Sequence, residues 1–213
     1  MSRRAPIVVL ALAGLLLTGM QCGADEPTTG GAAVRATAKP DDYGEVADFT
    51  FTDASGAAFG RADLLGKVWV AGFIFTRCAG PCPTITTTMV RLQEELFADG
   101  VGRGRLRLVA FSVDPAHDDP EVLTRYGETF GVAPDRFHLL TGDGEAIEKL
   151  VLEGFHLGMA RSDDPAVDPG LSVTHSTRLC VVGPDGHIKG YYEVNDPASL
   201  HLLRRRVRKL LGD

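Results

Sequence analysis

The sequence predicts an α/β fold in a single domain, with a mixed central sheet flanked by helices. Three observations point there. Two continuous apolar runs, residues 68–75 and 106–113, have the character of strands covered on both faces. Each is followed by residues with helical apolar spacing, so strand and helix alternate. The turn Gly183-Pro184-Asp185-Gly186 then signals a closing hairpin, and an amphipathic stretch ends the chain.

Taken in order, residues 49–52 with Asp53-Ala54-Ser55-Gly56 suggest a short hairpin. The run 68–75 holds Trp69, Val70, Phe73, Ile74 and Phe75 and suits a central strand. Residues 84–98 set Ile85, Met89, Leu92 and Leu96 on one helical face. A second buried strand is expected over 106–113, and a helix over 120–129 with Pro120 in its first turn. A short strand over 137–140 and a helix over 144–152 follow. Residues 153–172 read as loop, with Asp163-Asp164-Pro165 and Asp168-Pro169-Gly170 as turn formers. Strands over 177–182 and 188–192 flank the closing turn. The last helix, 197–211, aligns Leu200, Leu203, Val207 and Leu210. This order of elements is the thioredoxin-like one.

The 213-residue chain is long enough for one substantial core, and 44% hydrophobic with 23% charged residues is an ordinary globular balance. Its net charge of −6 becomes −8 without residues 1–24, which carry only Arg3 and Arg4. An acidic domain without a basic stripe argues against nucleic acid as a partner. The cluster of cations over 204–209 sits in the last turns of a helix, where they favour the dipole. It reads as a solvated face, with a partner-docking patch as the alternative.

Residues 1–24 read as a signal peptide or N-terminal membrane anchor. Arg3 and Arg4 precede the apolar run 7–17, and Cys22-Gly23-Ala24 offers a small-x-small cleavage site. The run is short against the roughly 20 residues of a membrane span. Lipid on Cys22 is a third alternative, although Gln21 stands where a bacterial lipobox has a small residue. Each outcome places the folded part outside the cytoplasm, in a periplasm or on the outer face of the membrane. Residues 25–42 are expected to be a flexible linker and 43–213 the folded domain.

Of four cysteines, Cys22 belongs to the leader, leaving Cys78, Cys82 and Cys180. Three is an odd number for a disulfide framework, so the close pair Cys78/Cys82 suggests chemistry. The pair lies between a buried strand and a helix, beside unsatisfied N–H groups that favour an anion, so both thiolates are expected to form readily. Pro81 and Pro83 stiffen the segment. A Cys-x-x-x-Cys pair has three readings: a redox dithiol, a soft-metal site or an inert bridge. Two thiolates need a further ligand, and sulfur with imidazole suits copper(I) or zinc. Among the six histidines, His117, His138, His156, His175, His187 and His201, His175 ends a long loop just before a core strand.

The run Cys78-Ala79-Gly80-Pro81-Cys82-Pro83 after Phe73-Ile74-Phe75-Thr76 resembles the Cys-x-x-x-Cys-Pro motif of the Sco/SenC family. Phe111-Ser112-Val113-Asp114-Pro115, with Asp118 and Pro120, resembles that family's Ser-Val-Asp-Pro stretch. His175-Ser176-Thr177, followed by Pro184-Asp185-Gly186, resembles its His-Ser-Thr and Pro-Asp-Gly pattern. The resemblance implies a thioredoxin-like fold in which Cys78, Cys82 and His175 bind copper, as Cu(I) with Cu(II) also accommodated. It further implies delivery of copper, or of reducing equivalents, to the dinuclear copper centre of cytochrome c oxidase, with an oxidase subunit as partner. A thiol–disulfide oxidoreductase using Cys78 and Cys82 is the rival expectation. A peroxidase is disfavoured, because Thr76 lies too close to Cys78 for a peroxidatic motif. Cys180 is expected to be a buried small hydrophobe and His117 a solvated loop residue. Asp114 and Asp118 are expected either to orient the site loops or merely to cap turns and a helix.

Overall fold

The computed structural model describes residues 41–212, apart from 99, 101, 103 and 163. The expected leader at 1–24 and residues 25–40 of the expected linker over 25–42 lie outside the described residues. The chain begins with a hairpin, β1 (Thr50–Asp53) and β2 (Ala58–Gly60), then β3 (Val68–Ile74) and helix α1 (Cys82–Ala98). There follow β4 (Leu106–Ser112), α2 (Pro120–Phe130), β5 (Phe137–Thr141) and α3 (Gly144–Lys149). Two short strands, β6 (Met159–Arg161) and β7 (Val173–His175), precede the hairpin β8 (Arg178–Val182) and β9 (Ile188–Glu193). Helix α4 (Pro197–Leu211) comes last, over the residues its apolar periodicity marks.

All seven residues of β3 are buried, as a continuous apolar run requires. The main sheet has the order β2-β1-β5-β4-β3-β8-β9. Strands β3, β4 and β5 are parallel, while β1, β8 and β9 join antiparallel, so the sheet is mixed as expected. Register sets up the site. Val68 pairs with Leu106 and Ile74 with Ser112, so β3 and β4 finish side by side. The loops after them emerge together at the carboxyl ends of parallel strands, where open α/β sheets carry their functional groups.

Residues alternate across β3 and divide the core in two. On one face, Gly72 meets α1: a Cβ there would stand 2.6 Å from Met89 Sδ and force that buried side chain to shift. Helix α1 is joined to its neighbours by Thr86 with the Tyr126 hydroxyl of α2 (2.7 Å) and by Glu95 with Arg204 of α4. On the other face, Phe73 stacks on its register partner Phe111 with centroids 5.7 Å apart, and Phe155 meets Phe73 edge-on at 5.1 Å. Phe155 arrives from a wide helical turn, Leu150–Gly154, that continues α3.

The expectation of an unstructured loop over 153–172 is corrected. β6 pairs antiparallel with β7, Met159 opposite His175, and a tight turn spans Pro169–Leu171. Three-residue strands are too short to show a period. Among the described residues, no helix is long and apolar enough to cross a membrane. Phe155→Ala should destabilise the domain by about 3–5 kcal/mol, the usual loss for an emptied aromatic core position. A denaturant midpoint shift at unchanged slope would register it.

Candidate functional site

The Cys78–Cys82 segment is held from below by two carboxylates of the β4–α2 loop. Asp118, fully buried, accepts from Thr76 N–H (3.0 Å), the Thr76 hydroxyl (2.5 Å) and the Ser112 hydroxyl (2.6 Å). Charge-assisted bonds of this kind compensate the burial of an ionised group. Asp114, 4% exposed, accepts from Arg77 Nε (3.2 Å) and Nη2 (2.6 Å), while Arg161 Nη1 of β6 stands 3.9 Å from its other oxygen. Arg161 also donates to the Val113 carbonyl at 2.8 Å. Asp114 thus fastens both the dithiol loop and the strand paired with His175. Helix capping falls to neither: Asp119 caps α2 by accepting from Val122 N–H at 2.8 Å. Of the expected alternatives for Asp114 and Asp118, loop orientation is the one seen.

Cys78, Cys82 and Cys180 are free thiols. Cys78 is half-buried, and Gly80 N–H points at its sulfur at 3.4 Å. Cys82, the first residue of α1, is fully buried. The expectation that both sulfurs ionise readily fails at Cys82: burial, then its contact with Cys78, pushes this thiol well above the ordinary range. Desolvation outweighs the helix start there.

His175 comes in at the end of β7. Its Nδ1 lies 2.9 Å from the Ser176 carbonyl, which can only accept, so Nδ1 carries the proton. The Nε2 lone pair of the neutral ring faces Cys82 Sγ at 3.4 Å. A backbone partner on one ring nitrogen, freeing the other, is how metal-binding imidazoles are held. Burial lowers the His175 pKa, against the Ser176 bond that raises it. Phe75 meets the ring edge-on at 6.0 Å. A cavity of about 160 Å³ opens here, lined by Cys78, Pro81, Gly170, Leu171, Val173 and His175.

Among the described residues, no three of His, Cys, Asp and Glu stand together as a ready-made cation cage. Cys82 and His175 already meet, and Cys78 shares the cavity with His175. Two sulfurs and one imidazole nitrogen are a soft donor set, fit for copper(I) or zinc once Cys78 closes in. The remaining histidines are elsewhere. His138 pairs with Asp53 and His187 with Asp42, each at 2.9 Å, while His117, His156 and His201 are exposed. Cys180 is fully buried on β8, a small core residue as expected. Sequence reasoning missed Arg161, whose partner lies in another loop, and Gly170. A Cβ at Gly170 would meet the Arg77 carbonyl at 2.8 Å and Ala79 Cβ at 3.2 Å. This turn also accepts Ala79 N–H on the Gly170 carbonyl at 3.3 Å.

A dithiol loop after the central parallel strand, faced by an imidazole from a separate hairpin, defines a thioredoxin-like domain with a thiol–imidazole pocket. Residues 37–211 match the SCO1/SenC family, and the chain belongs to it. It is 33% identical over 145 residues to the SCO1 protein homolog of Bacillus subtilis, covering 68% of this chain and 71% of that one. The solved structure of BsSco, a member of the Sco family of cytochrome c oxidase assembly proteins in which a disulfide switch was identified, is 32% identical. It superposes with a TM-score of 0.68, covering 81% of this chain and 96% of that one. Copper-bound ScoI of Bradyrhizobium japonicum shares the fold at a TM-score of 0.62 and 22% identity, over 76% of this chain and 99% of its own.

Gly170→Ala should push the dithiol loop outward and speed alkylation of Cys82 in the reduced protein, read by mass spectrometry. It should destabilise the fold by about 1–3 kcal/mol, the range for overpacking. The depressed pKa of His175 sets a pH dependence. The unfolded chain takes up this proton first, so stability is intact above about 6.5 and falls as pH drops below it. Denaturation midpoints measured across that range should show a shallower acid loss in His175→Gln.

Proposed function

We propose that this chain is a copper metallochaperone for the dinuclear copper centre of cytochrome c oxidase, with Cys78, Cys82 and His175 as ligands. Copper is its cargo. The observation that carries this reading is the Nε2 lone pair of His175 facing Cys82 Sγ at 3.4 Å, with Nδ1 committed to the Ser176 carbonyl. Family membership and copper-bound relatives support the choice of metal. As both thiols lose their protons, Cys78 and Cys82 bind Cu(I) through sulfur and His175 closes a three-coordinate site. Imidazole suits Cu(II) as well. Low coordination and the half-exposed position of Cys78 leave room for an acceptor's thiols or imidazoles to take the ion by ligand exchange. An oxidase subunit is the acceptor this reading names. The domain acts outside the cytoplasm, delivered by residues 1–24 and, in the attached form, held at the membrane through them.

A second reading is favoured by the unequal burial of the two thiols and by the disulfide switch of BsSco. In it the Cys78 thiolate attacks a partner's disulfide and forms a mixed disulfide, releasing one partner thiolate. Cys82, losing its proton, then displaces the second partner thiolate. The partner gains two electrons, and this chain ends with a Cys78–Cys82 bond. Copper titration of the reduced protein tests the first reading: one tightly bound ion, abolished in Cys78→Ser or Cys82→Ser. His175→Ala should weaken binding at least roughly tenfold, since loss of even an outer partner of a metal-binding histidine costs that much. Wild-type affinity and spectra in His175→Ala would remove His175 from the ligand set. Absence of copper binding with ready disulfide exchange favours the second reading.

A further inference from the structure

Five cations stand in the six residues 204–209 of a molecule whose net charge is −6. Arg204 is engaged with Glu95, and Arg206 with Asp41 at 2.7 Å. Arg205, Arg208 and Lys209 are exposed at the surface, with Leu202, 53% exposed, among them. Together with Tyr192 they surround an open concavity.

Two facts fix where this face looks. Asp41 is the first described residue and is bound to Arg206, so the described chain begins beside the cluster. The sequence before it includes Arg3, Arg4 and the apolar run 7–17. The cluster also lies at the end of the sheet opposite the dithiol loop. Arg105, just before β4, donates to the Leu211 carbonyl at 2.7 Å, whereas Cys78 follows the far end of β3.

We propose that the basic last turns of α4 dock on the anionic phospholipid headgroups of the membrane to which the N-terminal segment holds the chain. This rests on the membrane-attached form proposed above and adds an orientation to it. The acidic domain as a whole is repelled by an anionic surface. Screening confines electrostatics to about 8 Å at physiological ionic strength, so the face nearest the tether decides the contact. Basic side chains meet phosphate, Leu202 reaches the interface, and the thiol–imidazole pocket is turned away from the bilayer toward an acceptor.

The test places the full chain on vesicles of phosphatidylcholine alone or of phosphatidylcholine with phosphatidylglycerol. Acylation of Lys209 by a water-soluble reagent is compared with that of Lys149, which is exposed on α3. Lys209 should react roughly tenfold more slowly on the anionic vesicles, with Lys149 unchanged, and high salt or Arg205→Glu should restore its rate. Equal Lys209 rates on both vesicles overturn the proposal, as does slowing that survives both salt and Arg205→Glu. Flotation separates the underlying readings. A chain that does not float with either vesicle overturns attachment and docking together, whereas one that floats with Lys209 unprotected overturns docking alone. Copper titration of the same samples reports on the pocket independently.

Discussion

The bonds to the buried carboxylate of Asp118 hold the site in place. Burying an ionised group is costly unless charge-assisted hydrogen bonds compensate it, and here Thr76 and Ser112 supply three. One side chain can reach both residues only because β3 and β4 run parallel with Ile74 opposite Ser112. The start of the dithiol loop is thereby fixed to the end of the neighbouring strand. Asp114 works further out, joining Arg77 to Arg161 and so relating the cysteine loop to the hairpin that brings His175.

Within that frame burial disfavours charge on two of the candidate donors. Cys82 is kept protonated by burial, and His175 is kept neutral for the same reason. A soft cation changes this balance, because binding displaces thiol protons and its charge then offsets those of the sulfurs. Preorganisation falls on the imidazole, whose tautomer is set by Ser176, while Cys78 stands half-exposed at the cavity. A half-exposed donor of this kind suits the proposed hand-over of a bound ion.

The long periodic elements were legible in the sequence. Strand β3, helix α1 and helix α4 each repeat an apolar signal over many residues, and packing had no reason to overrule it. Helix α1 starts two residues earlier than its apolar face suggests, since Pro83 is compatible with a first helical turn. The cysteine pair was legible because its spacing is local, and His175 because it ends a loop and carries a motif. What escaped depends on contacts between distant segments. Strand β6 exists through pairing with β7, and Arg161 matters through Asp114. The protonation of Cys82 turns on how deeply α1 seats against the sheet, which no local spacing encodes.

The contact between Cys82 and His175 closes across 93 positions of chain. Bringing such remote groups together costs loop entropy that only the assembled sheet repays, so this meeting belongs to the end of folding. A polypeptide that has not yet assembled this sheet carries the two sulfurs without the ring. It is therefore a poorer trap for soft metals than the finished domain. The copper site proposed here is in this sense completed only by folding.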